Sequence, residues 1–167
     1  MSDDIYFADD PPMEDMRAEL LVRLAAAECP DRQTDAEIHM LLTGVHCWQG
    51  PGDDWVAQYK DTAGWEELPA YTASLDAALA LVAKNLPDWT RSVDATLPSA
   101  GIDVVLHPGW PRGSLTASLV DLKDTTGTHA SEAIATCIAL LRAYPIAMAD
   151  AASGSTPVMG GEEGVRK

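Results

Sequence analysis

The sequence predicts a layered α+β domain, and three observations carry that expectation. Apolar residues recur at helical spacing in four separate stretches, and strand-like composition fills most of the region between residues 89 and 122. No helical stretch interrupts those strands, so they are expected to pair antiparallel as a small meander of about three strands. Helices laid on such a sheet give the layers. A chain of 167 residues with 47% apolar composition suits a single domain with its own core.

The first helix is expected from Pro11 to Glu28. Asp10 can cap it, Pro11 fits its first position, Glu14 and Asp15 favour the positive end of its dipole, and Met13, Met16, Leu20, Leu21 and Leu24 form one stripe. Pro30 ends it. Thr34 with Glu37 three residues later reads as a capping box for a second helix carrying Ile38, Leu41 and Leu42, and Gly44 suits its C-terminal cap. From Val45 to Ala70, glycine and proline punctuate the chain while Trp55, Ala57 and Tyr59 alternate, which predicts a hairpin or ordered loop. Thr72 or Ser74 opens a third helix with Leu75, Ala78, Leu79 and Val82 on one face, closed by Asn85 and Pro87.

Three strands are then expected at Trp89 to Thr96, Ile102 to His107 and Ser114 to Leu122, with turns at Pro98 to Gly101 and Pro108 to Gly113. The helices at 74–84 and 130–144 are expected to cover this sheet. The latter buries Ile134, Cys137, Ile138 and Leu141, with Pro145 as its stop. The expected organisation is an acidic, mobile N-terminus at 1–10, one α+β domain over 11–149 and a mobile tail from 150.

Charge and cysteine usage exclude some functions. The net charge is -15; residues 1–15 hold six acids without a base, and the stretch 16–149 still carries -8. Such a body repels duplex nucleic acid and anionic membranes, because both need bases gathered on one face. Cys29, Cys47 and Cys137 are odd in number, lack CxxC spacing and have small or apolar neighbours, which suits reduced, packed thiols in a cytoplasmic protein. No stretch approaches the roughly 18 apolar residues of a membrane span, and the acidic N-terminus is unlike a signal peptide.

Four segments carry a family resemblance. They are WEELPAYTASLDAALALV at 65–82, DAEIHMLLTG at 35–44, the Asp88-Trp89-Thr90 step, and HASEAIATCIALLRA at 129–143. Together they resemble the phage ABA sandwich domain family, small proteins of phages and prophages, over residues 30–145. The family usually begins its C-terminal helix with a proline-alanine step, where this chain has Ser131-Glu132. The resemblance implies an αβα layered fold, a bacterial host cytoplasm and no enzymatic activity, so no catalytic residue is carried over.

The residues themselves agree on the last point. GxxxxGK[ST], GxGxxG after a strand, GxSxG, HExxH and the zinc-deaminase pattern are all absent. His46 and Cys47 are adjacent, so on a strand they point to opposite faces and cannot chelate alone. His39, His107 and His129 read as surface or capping groups, Asp76 as a first-turn residue of its helix, and the Asp53-Asp54 and Glu66-Glu67 pairs as solvated turn acids. No metal and no cofactor is expected.

The feature above background is aromatic. All five tryptophans, Trp48, Trp55, Trp65, Trp89 and Trp110, fall between residues 48 and 110 with Tyr59 and Tyr71, interleaved with Lys60, Arg91 and Arg112. With one phenylalanine in the chain, tryptophan also has core volume to fill. Read as a site, Lys60, Arg91 and Arg112 would grip an anion while Trp65, Tyr71, Trp89 and Trp110 stack on it. That reading is a sequestering protein for a small anionic ligand, a nucleotide immune signal among them. The alternative is a protein-interaction module whose acidic surface blocks a basic host protein, and an enzyme of unfamiliar type stands third. Two open sheet edges and surplus aromatics also lead us to expect a homo-oligomer, most simply a dimer.

Overall fold

In the computed structural model of the chain, residues 13–50, 54–58, 65–94, 101–108 and 122–153 are described. They form a mixed α+β fold of four helices and two small three-stranded antiparallel sheets packed against helices. The expected first cap at Asp10 and Pro11, all but the last residue of the expected strand at Ser114 to Leu122, and both chain ends lie outside the described residues.

Helix α1 spans Met13–Ala26 and buries Leu20 and Leu24. Helix α2, Arg32–Thr43, starts earlier than expected. Asp31 is its N-cap: the carboxylate accepts from the Gln33 and Thr34 backbone N–H groups. Thr34 stays helical and donates its hydroxyl to the same carboxylate at 2.5 Å, so the Thr34 capping box does not form. That hydroxyl bond, ahead of the others, lowers the Asp31 pKa. Glu37 instead pairs with Arg23 of α1, tying the two helices together. Gly44 closes α2 in the left-handed region at φ 66°, its N–H donating to the Met40 carbonyl, as expected of a glycine cap.

The irregular region after α2 is a sheet. Strands β1 (Cys47–Gln49), β2 (Trp55–Gln58) and β3 (Trp65–Glu67) pair antiparallel in that order, with Cys47 opposite Ala57 and Ala57 opposite Glu66. Cys47 and Ala57 face inward, and α2 lies against β1 and β2. Helix α3 spans Leu75–Asn85, capped by the Ser74 hydroxyl. Its buried face is Ala78, Leu81 and Val82, with Leu75 and Leu79 only half-buried. The face is rotated from the expected one because α3 packs chiefly on α4 rather than on the sheet.

The second sheet holds β4 (Thr90–Asp94), β5 (Ile102–His107) and β6 (Thr126–His129), antiparallel and in chain order. The strand described beside β5 is β6, and of the expected 114–122 strand only Leu122 is described, where it begins a 3-10 turn that leads into β6. Strand β6 offers no large apolar residue to a sequence reading. Its place comes from backbone pairing with β5 and from Gly127, which lies directly against α4. A Cβ there would fall 2.6 Å from the Ala139 nitrogen and closer still to the Ala135 carbonyl oxygen. The alanine-rich face of α4 therefore has a cause: Ala135, Ala139 and Ala143 share one side at i, i+4 spacing and leave room for a strand backbone.

Helix α4 runs from Glu132 to Ser153, straight through Pro145. Pro145 was expected to stop it, and the chain was expected to be tail-like from 150. A proline removes one N–H, here the donor for the Leu141 carbonyl, but Tyr144 and Ala147 still pack on the core and the following IAMADAA run is alanine-rich, which favours helix. Contrary to the expectation that no such stretch exists, Glu132–Ala149 is long and apolar enough to cross a membrane. Sheet, α1 and α3 surround this helix, and a helix covered on several sides is apolar nearly all round. Ile134, Cys137, Ile138 and Leu141 are buried on it as expected.

Candidate functional site

Two local arrangements stand out, one buried and polar, the other exposed and aromatic. The buried one is built on α2, where Asp31, Asp35 and His39 recur one turn apart and face the Pro69 to Ser74 turn. Asp35, 0% exposed, accepts from the Thr72 N–H at 2.7 Å and from Arg32 Nη1 at 2.9 Å. The Asp31 N–H donates to the Thr72 hydroxyl at 3.1 Å. His39, expected at the surface, is 2% exposed; its Nδ1 lies 2.7 Å from the Tyr71 hydroxyl, with the rings stacked. From the other side the Cys137 thiol of α4 donates to the Tyr71 carbonyl.

Burial sets the electrostatics of this hub. It raises the Asp35 pKa against the lowering effect of its hydrogen bonds, and it lowers that of His39, helped by nearby Lys84. Burial, with Asp35 adding to it, pushes the Cys137 thiol up to about 12, and burial alone raises Cys47. Neither thiol is activated as a nucleophile. Cys29, expected to be packed, is exposed. What the hub does chemically is hold the Tyr71-Thr72 turn between α2 and α4. Asp35 and His39 escape a sequence reading because i, i+4 polar residues look like a solvated helix face until the loop that covers them is known.

A cleft of about 180 Å³ opens beside the hub, lined by His39, Tyr71, Glu66, Glu67, Leu81 and Lys84 among others. Its one described cation, Lys84, shares the lining with two carboxylates. A second cleft, of about 370 Å³, is lined by Arg32, Asp54, Trp55, Glu67 and the Leu68 to Ala70 turn; Arg32 is already held by Asp35 and the Leu68 carbonyl.

The exposed arrangement is the outward face of the first sheet. Register places Trp48, Val56 and Glu67 in one row across it and Gln58 and Trp65 in the next. The His46 carbonyl accepts from the Gln58 N–H, so His46 joins the second row. Trp65 is 61% exposed, and its ring meets that of Trp48 at 4.4 Å and 81°. The His46 ring lies 6.1 Å from Trp48.

The seven residues singled out from the sequence do not come together as one described pocket. Lys60, Trp110 and Arg112 lie outside the described residues. Tyr71 is a buried hub residue at the 180 Å³ cleft, and Trp65 stands on the outward face of β3. Trp89 packs against the core, and Arg91, on β4, pairs with Glu132 at the start of α4. Trp48 and His46, not among the seven, join Trp65. Alternation along β1 with a two-residue offset on β3 is the sequence signal for that meeting, but it needs the pairing register. Among the described residues no group of three or more His, Cys, Asp or Glu could hold a metal ion. In comparisons with known proteins, no family model, curated protein or solved structure matches the chain.

Proposed function

We propose that this protein is a non-enzymatic interaction module that binds a basic protein partner through the outward face of its first sheet. The single observation that carries this reading is Trp65, 61% exposed in perpendicular contact with Trp48 and followed by Glu66 and Glu67. Exposed tryptophan is a common interface anchor. A net charge of -15 draws in a basic partner at long range and fixes its sign.

The likeness to phage ABA sandwich proteins supplies a setting, an accessory protein acting on a host protein in the bacterial cytoplasm. In the same view α2 and α4, each backing one sheet, are layers of an αβα arrangement. Sequestration of a small anion rests on Lys60, Trp110 and Arg112; of the described bases, Arg23, Arg32 and Arg91 are each engaged by a carboxylate, and Arg17 and Arg142 share a cleft of about 640 Å³ with Asp124.

Calorimetry separates the two readings. A basic peptide should bind with salt-sensitive affinity, and linear and cyclic nucleotides should show no binding tighter than about 100 μM, roughly -5.5 kcal/mol. Nucleotide binding well below that concentration, with no response to the peptide, would reverse the assignment.

A further inference from the structure

The outward face of the first sheet presents more than an apolar patch. Two indole rings whose centroids lie 4.4 Å apart at 81° make a corner, one ring's edge against the other's face, and the exposure of Trp65 leaves that corner open to solvent. Glu67 shares the face, in the same row as Trp48 and two residues beyond Trp65. Asp54 is exposed just ahead of β2, and Glu66, opposite the inward-facing Ala57, is exposed on the other side of β3. Two described bases share a cleft with Glu67: Arg32, across the 370 Å³ cleft, has Nη1 on Asp35 and Nη2 on the Leu68 carbonyl, and Lys84 lines the 180 Å³ cleft on the other side.

Each chemical class of ligand meets this corner differently. An anion would lie beside carboxylates, and a nucleotide stacked on Trp65 would bring its phosphate towards them, at a Coulombic cost. A neutral apolar group would cover the rings but leave the carboxylates without a partner. A cation gains twice, from the negative faces of the indoles and from Glu67. Among cations, a guanidinium is planar, weakly hydrated and able to stack on one ring while its N–H fork reaches a carboxylate. A lysine ammonium is compact and strongly hydrated.

We propose that the Trp48–Trp65 corner seats an arginine side chain of the partner, stacked on the indoles with Glu67 accepting from its guanidinium. This rests on the interaction-module reading and gives it a residue-level chemistry. His46, tilted at 34° against Trp48, extends the aromatic floor for the arginine's aliphatic stem.

The test uses the whole protein and two short peptides of equal length and charge, one alternating glycine with arginine and the other glycine with lysine. Affinities are read by calorimetry at about 0.15 M and about 0.5 M salt, the second chosen to screen long-range attraction. The arginine peptide should bind more tightly than the lysine peptide, and the preference should persist at the higher salt. Trp65→Ala should weaken the arginine peptide by roughly tenfold or more and shrink the preference, whereas Trp65→Phe should retain part of it. Glu67→Lys, a change at an exposed residue that needs no repacking, should abolish the preference. Asp76→Asn on α3 removes a carboxylate away from this face and should change both peptides little.

Equal binding of the arginine peptide to the native protein, Trp65→Ala and Glu67→Lys would overturn the corner and leave the interaction module standing. Failure of both peptides to bind, with a nucleotide binding instead, would overturn both. A lysine peptide bound as tightly as the arginine one would refute the guanidinium assignment.

Discussion

Asp35 and His39 sit one turn apart on the same helix, and burial moves their pKa values in opposite directions because it disfavours the charged form of each. Asp35 is held by Thr72 and Arg32; Asp35→Ala leaves the buried Thr72 N–H unpaired while Arg32, partly exposed, keeps the Leu68 carbonyl, a loss of about 1–3 kcal/mol readable as a fall in urea midpoint. His39 has a depressed pKa in the folded state, so its contribution is present above the ordinary imidazole value near 6.5 and is lost as pH falls below it through the depressed value. Stability should therefore drop as pH falls through the ordinary imidazole value towards the depressed one, and less so in His39→Gln. The raised pKa of Asp35 acts the other way, at the acid end: its protonation favours the fold as pH falls through that raised value towards the usual carboxylate range. A native protein and His39→Gln with parallel pH profiles would exclude His39 as the source.

At the scale of elements, the contact between β6 and α4 is the least forgiving. Gly127→Ala adds a methyl group where helix backbone already stands, and the neighbours are main-chain atoms that cannot swing aside. Overpacking of this kind costs about 1–3 kcal/mol or more, and hydrogen exchange should show the loss first in β5 and β6. Ile138→Ala, in the buried face of α4, should cost about 2–5 kcal/mol by leaving a cavity. The helices were legible in the sequence because caps and periodicity are local: Ser74, Gly44 and the stripes of α1, α2 and α4 are all short-range signals. The start of α2 was not, since Asp31 and Thr34 are both good capping residues and only backbone geometry chooses between them. Strand β6 was illegible for the complementary reason, having no apolar alternation of its own.

For the whole molecule, charge and exposed apolar surface pull in different directions. Self-repulsion in a body of net -15 is relieved by screening, so the melting temperature should rise on addition of about 0.5 M sodium chloride. Met13, Val22 and Met148 are 59%, 70% and 45% exposed, all on α1 and the far end of α4. The groove of about 240 Å³ between these helices is lined by Met13, Leu41, Leu141, Tyr144, Pro145 and Met148, and Arg17 and Glu14 flank it with opposite charge. A patch that is locally neutral on so acidic a surface suits a second copy of the same chain, which any strongly charged contact would repel. Light scattering should show a dimer that Met148→Glu dissociates, and a native monomer at high micromolar concentration would remove the self-association reading.

The sequence by itself determined the class of fold, the four helices, the first two strands of the second sheet and the buried face of α4, because periodicity, caps and turn residues act within a few positions of themselves. Tertiary structure decided which strand completes that sheet, where α3 packs, how α4 continues past Pro145, and that His39 is buried while Trp65 is exposed. Each of those outcomes depends on the surface brought opposite by residues tens of positions away. The same holds for the candidate site: Trp48 and Trp65 are seventeen positions apart in sequence, and only the β1–β2–β3 register puts their rings in contact on one face.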